Sequence, residues 1–189
     1  SLSISVTGDV TSTSTDKSDN NNSYGIYASN YGTDLTVAAN GDVTSNDRGL
    51  FVWNYGSGKT SITANGTVTA LNSAAIYVEN TTISTASNII INAKNANGFD
   101  EGITSINYGS GSTTITATGT VKGGVGETDQ TADADGISAW NDTTATDLNI
   151  TAKDVTGLDD GISAANNGTG SLSISVTGDV TSTSTDTSD

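Results

Sequence analysis

The 189-residue chain contains no cysteine, histidine, methionine or proline, and six basic residues stand against 21 acidic ones. Without cysteine no disulfide framework exists, so stability has to come from backbone pairing and a thin apolar core. Without histidine, Ser-His and Cys-His nucleophile pairs are impossible. Arg48 is the only arginine and the five lysines are scattered. No basic patch is therefore present to neutralise a phosphate backbone, which excludes nucleic acid as a partner and disfavours anionic membrane surfaces. No apolar run is long enough to span a bilayer. Residue 1 does not open a signal peptide, and the chain is expected to be a fragment of a longer protein.

What the chain has in abundance is repetition. Roughly a third of it is serine or threonine, and the net charge is −15. Composition of this kind alone points to disorder, but the order of the residues points elsewhere. Ser1–Asp16 (SLSISVTGDVTSTSTD) returns unchanged at Ser171–Asp186, an offset of 170 residues. Within that long repeat lies a shorter one. Alternating stretches such as Leu2-Ile4-Val6, Leu35-Val37-Ala39 and Leu148-Ile150-Ala152 begin at residues 2, 35, 60, 89, 113, 148 and 172. Each of the first six is followed by a second signature, from GIYASN at Gly25 to GISAAN at Gly161.

The starts are 33, 25, 29, 24, 35 and 24 residues apart. Apolar residues alternate with polar ones at period two, the pattern of a half-buried strand. Strands this short cannot bury a face alone, whereas stacked units share one core. A base period of about 24 residues suits a coil of three short strands and is too short for a propeller blade. The expected fold is all-β: a right-handed parallel β-helix of six to seven coils, forming a single domain over residues 1–189, with the long repeat restarting at 171. Small inward residues fit a narrow tube, among them Ala28, Ala64, Ala93 and Ala152. Six asparagines end the second signature: Asn30, Asn54, Asn80, Asn107, Asn141 and Asn166. They are expected to stack as a structural amide ladder at one corner. Extra residues at 11–24, 81–88 and 122–135 are expected to form loops.

The repeated LxIxAxGxV and GIxxxN stretches, the Asn/Thr/Ser/Gly/Asp-rich composition and the near-identical duplication resemble passenger domains of Gram-negative autotransporter (type V secreted) adhesins. The resemblance covers the whole chain. It implies a secreted β-helix on the bacterial cell surface, held there by a C-terminal outer-membrane barrel that is absent from this sequence. It also implies adhesion or cell–cell aggregation, with other copies of the chain or cell-surface glycans or proteins as partners.

Eight of the ten aromatic residues fall in or just after the second signature. Strand alternation turns Tyr27, Phe51, Trp53, Tyr77, Ile106 and Trp140 outward over five successive coils, a stripe suited to a sugar chain or a partner's apolar surface. The same residues also suit plain strand packing. Outward Ser and Thr of the first strand, such as Thr114 and Thr116, form a second array, with ordinary strand polarity as its simplest reading. Glu101, Asp135 and Asp160, with Asp100 and Asp159 beside two of them, precede signature glycines. They are close enough across coils to share a calcium ion, although Asp before Gly is common turn chemistry and no calcium-binding nonapeptide is present. No cofactor or metal is assigned, and no catalytic role. A plain structural stalk and a polysaccharide-degrading enzyme built on the paired aspartates are the alternatives.

Overall fold

The structure is a computed structural model and describes residues 1–14, 23–81 and 87–185. All its regular elements are strands. The first coil holds β1 (Leu2–Val6), β2 (Val10–Ser12) and β3 (Ile26–Asn30), and the second β4 (Leu35–Ala39), β5 (Val43–Ser45) and β6 (Leu50–Asn54). From the third coil the first two strands run together. The coils are then β7 (Thr60–Ala70) with β8 (Ile76–Asn80), β9 (Ile89–Asn97) with β10 (Ile103–Asn107), β11 (Thr113–Lys122) with β12 (Ile137–Asn141), and β13 (Leu148–Gly157) with β14 (Ile162–Asn166). A last partial coil contributes β15 (Leu172–Val176) and β16 (Val180–Ser182).

Every pairing is parallel, each strand with its equivalent one coil away. First and second strands make a ten-stranded sheet and third strands a six-stranded one, in the order β14-β12-β10-β8-β6-β3. The result is a β-solenoid of about six turns. Unit starts deduced from the sequence meet one another in register: Leu2 with Leu35, Leu35 with Thr60, Thr60 with Ile89, Ile89 with Thr113, Thr113 with Leu148 and Leu148 with Leu172. Register slips between Ala64 and Thr67, and between Ala117 and Thr120, where the long strands turn from one face to the next.

Inside, like stacks on like. Val37, Ile62, Ile91, Ile115 and Ile150 form one column, and Leu50, Ile76, Ile103 and Ile137 another, all essentially without solvent exposure. Each fully buried Ile or Leu contributes about 1.5–3 kcal/mol. Ser105 interrupts a third column between Val78 and Ala139, and its Oγ is buried without a hydrogen-bond partner.

The signature glycine has a packing reason. A Cβ on Gly25, Gly49, Gly102, Gly136 or Gly161 would overlap the Cγ1 of Val43, Val68, Val121, Val155 or Val180 respectively. In the third signature the glycine position is Ala75, and the matching valine position in the next coil is Ala96, in register with Val68 and Val121. The larger residue on one side meets a smaller one on the other. Ala96→Val is therefore expected to cost about 1–2 kcal/mol by overpacking. Adding Ala75→Gly should recover most of that loss in a double-mutant cycle read by urea unfolding.

The asparagine ladder forms, with a feature the repeat alone did not reveal. Where the next coil opens with Leu35, Ile89 or Leu148, the amides bond directly: Asn30 Nδ2 donates to Asn54 Oδ1 (3.0 Å), Asn80 to Asn107 (3.1 Å) and Asn141 to Asn166 (3.1 Å). Where it opens with threonine, the hydroxyl enters the ladder. Asn54 Nδ2 donates to Thr60 Oγ1, which donates to Asn80 Oδ1, and Thr113 Oγ1 donates to Asn141 Oδ1. A hydroxyl both donates and accepts, so it extends the chain without leaving a polar atom orphaned.

Carboxylate and amide side chains cap two further turns. Oδ1 of Asp34, Asn88 and Asp147 accepts the N–H of Lys59, Ser112 and Ser171, and Oδ1 of Asp9, Asp42, Asn95 and Asp154 accepts that of Asp42, Thr67, Thr120 and Asp179. The first set recurs at every second coil, so the coils form pairs. The loop at 122–135 is described in full, with Gly124 and Gly126 at φ 73° and 90°, a region open to glycine. Most of the loop expected at 11–24 and the centre of that at 81–88 lie outside the described residues.

Candidate binding face

Outward residues of the third-strand sheet lie in two columns, not the single stripe read from the sequence. Tyr27, Phe51, Tyr77, Thr104 and Ser138 follow one another in the first column. Ser29, Trp53, Glu79, Ile106 and Trp140 make up the second. Alternation gives each five-residue strand two outward positions, and both are used.

Phe51 departs from the expectation of an outward contact residue. It points away from the core but is only 4% exposed, because neighbouring rings close over it. Tyr24, Tyr27, Trp53 and Tyr77 have ring centroids 4.7, 5.5, 4.6 and 5.4 Å from that of Phe51. The Arg48 guanidinium lies 4.5 Å from the Phe51 centroid and 5.0 Å from that of Tyr77, within cation–π range. Arg48 Nε is buried with no hydrogen-bond partner. Phe51 thus acts as the floor of an aromatic cluster, and Tyr27, half exposed, as its rim. An open cavity of about 510 Å³ lies against Tyr24, Tyr27, Phe51 and Trp53. At the adjoining corner Tyr31 stacks flat on Tyr55 at 4.6 Å and 5°, and Tyr55 meets Trp53 edge-on. Tyr77 donates its hydroxyl hydrogen to Glu79 Oε2 at 2.7 Å. Burial, and then this neighbouring carboxylate, push the Tyr77 phenol well above its usual range.

Further along the same sheet, Trp140 and Tyr108 meet edge to face at 5.0 Å and 70°. They border a second cavity of about 330 Å³, lined also by Thr104, Ser105, Ile106 and Ser138. Tyr24, Arg48, Thr104 and Ser138 escaped the sequence reading. Tyr24 lies just before the signature, Arg48 is the chain's single arginine, and Thr104 and Ser138 are common residue types; the role of each depends on neighbours one coil away.

The carboxylates gather differently from the expected column of Glu101, Asp135 and Asp160. Side-chain oxygens of Asp133, Asp135 and Asp159 all lie within 4.8 Å of one another. Asp133 is supplied by the inserted loop. Asp135 is 5% exposed and accepts the Asp160 N–H at 3.2 Å. Burial, followed by the charges of Asp133 and Asp160, raises its pKa to about 6 despite that hydrogen bond. Glu101 is raised as well, by burial and then by Asp100, Asp135 and Asp133. The cluster relieves its like-charge crowding by holding a proton on Asp135 under mildly acidic conditions.

No protein-family model, curated protein or solved structure matches this chain.

Proposed function

We propose that this β-solenoid is a repeat region of a bacterial surface adhesin that binds through the outer face of its third-strand sheet. One observation carries the reading. Nine of the ten aromatic residues make ring contacts on or beside this one sheet, in a chain that is otherwise acidic and hydroxyl-rich. Partly exposed rings in polar surroundings are what an interaction surface offers and what a plain spacer does not need. The sequence resemblance to autotransporter passenger domains supports the bacterial surface as the location. Coil repetition supports multivalency, because many weak contacts on a rigid rod add up to avidity that one contact lacks. Each coil adds about 4.8 Å of reach, so six coils extend the rod by roughly 29 Å.

The test is clumping of beads coated with the purified chain, wild type beside a Trp53→Ser/Trp140→Ser variant. Circular dichroism checks that the two fold alike. Wild-type beads are expected to clump and variant beads to remain dispersed. Equal clumping of both moves adhesion to another face. Beads of neither kind clumping removes self-association and favours the stalk.

A further inference from the structure

We infer that the cavity between β10 and β12 is a binding site for one neutral pyranose residue of a glycan. The inference rests on the adhesin reading and names the ligand chemistry of one part of its face. Three observations single out this ligand class. The cavity of about 330 Å³ is walled by apolar and aromatic side chains, Ile106, Tyr108 and Trp140, and lies at the small end of the range for ligand sites. Its polar side-chain groups are uncharged, hydroxyls and the Trp140 indole N–H, and no lysine, arginine, aspartate or glutamate lines it. An anionic ligand would be desolvated there without a counter-charge, which removes acidic sugars and phosphate, and the carboxylate in the adjoining row, Glu79, is engaged by the Tyr77 hydroxyl. Finally, Thr104 Oγ1 is buried beneath the cavity with no hydrogen-bond partner.

A buried hydroxyl without a partner is costly, and at the lining of a cavity a ligand group is the partner that can satisfy it. Thr104 lines the cavity, and Ser138, paired with Thr104 across the strands, lines it too and offers a second hydroxyl. A pyranose is the complement of such a site. Its C–H face is apolar and packs on an indole ring, and its rim is a ring of hydroxyls that donate and accept. An extended peptide is a poorer match, because β10 is paired on both sides along its length and offers no free edge for strand addition. The Tyr24–Tyr77 cluster differs from this cavity in kind. The Arg48 cation packs on the Phe51 and Tyr77 rings, and among the described residues no buried hydroxyl without a partner lines the cavity there.

The test uses the whole chain labelled with ¹⁵N. Its two tryptophans give two indole N–H signals, assigned with Trp140→Phe. Methyl β-galactopyranoside, methyl β-glucopyranoside, methyl α-mannopyranoside and methyl N-acetyl-β-glucosaminide are titrated separately. At least one is expected to shift the Trp140 indole signal saturably and leave that of Trp53 in place. Thr104→Val keeps the shape and β-branching and removes only the hydroxyl. It is expected to weaken that binding about tenfold, the worth of one hydrogen bond, with an unchanged or higher thermal midpoint. Saturable shifts with undiminished binding to Thr104→Val would overturn the site, as would shifts of Trp53 alone. No shift with any of the four sugars overturns it too. If wild-type beads still clump in that case, the adhesin reading stands and only the sugar falls. If Trp140 responds to sugar and beads stay dispersed, the pocket stands and self-association falls.

Discussion

Replacing Asn54 with alanine is expected to destabilise the solenoid by about 3–5 kcal/mol, since several buried groups each lose a partner at about 1–3 kcal/mol before relaxation. Asn54 has no solvent exposure, and all its hydrogen-bonding capacity is used. Its Nδ2 donates to the Gly58 carbonyl (3.2 Å) and to Thr60 Oγ1 (3.0 Å), and its Oδ1 accepts from the Gly56 N–H (3.0 Å) and from Asn30 Nδ2 (3.0 Å). Truncation leaves two donors and two acceptors seeking partners in a dry corner, and it interrupts the ladder between the first three coils. Asn166→Ala is the control. That residue also bonds its own turn, through Gly168 and Gly170, but it is partly exposed and water can take its place. It should cost about 1 kcal/mol. Urea unfolding gives the totals. Because coils contact mainly their neighbours, hydrogen exchange should locate the Asn54→Ala loss in the second and third coils. Equal costs at the two positions would show that the ladder carries no special weight.

Asp135→Asn is expected to stabilise the protein by about 2–3 kcal/mol at pH 8 and to have almost no effect at pH 4. The sign follows from linkage. Asp135 titrates at about 6 in the folded chain against 3.8 as its ordinary value. The folded state therefore holds a proton that the unfolded state has released. Stability from this group is fully present below the ordinary value and is lost as the pH rises through about 6. The full difference corresponds to about 3 kcal/mol, discounted towards about 2 because exposed Asp133 opens the site to solvent. Asparagine keeps the oxygen that accepts the Asp160 N–H, and it brings an N–H₂ group to Asp133 and Asp159 in place of a third negative charge. Asp47, Asp100 and Glu101 are also raised, each chiefly by burial, so the wild-type chain should melt higher at pH 5 than at pH 8. A thermal midpoint gain of about 4–8 °C for Asp135→Asn at pH 8, vanishing at pH 4, is the expected scan. A gain independent of pH would mean that packing, and not charge, was relieved.

The two predictions differ in how far the sequence alone leads to them. Asn54 stands in a repeated motif, so its place at a corner was legible. That Thr60 and Thr113 enter the ladder while Leu35, Ile89 and Leu148 do not was visible only once the first strand of one coil lay beside the asparagine of another. The Asp135 cluster was half legible. The aspartate before the glycine recurs, but Asp133 arrives from a loop whose path no periodicity fixes.

The β-solenoid, the starts of its coils, the inward and outward sets of each strand and the corner held by asparagine could all be read from residue order. Those features are local: side chains alternate at every second residue, and a unit that cannot bury its own face must stack on a copy of itself. Which outward residues meet solvent depends on the assembled coils. Phe51 is turned outward by its strand and covered by Tyr24, Tyr27, Trp53, Tyr77 and Arg48. Thr104, an ordinary strand residue in sequence, has its hydroxyl buried and unpartnered beneath a cavity walled by Trp140 and Tyr108. Exposure there is set by the length and direction of side chains one coil away, across a strand spacing of about 4.8 Å. No pattern within a single coil contains that information.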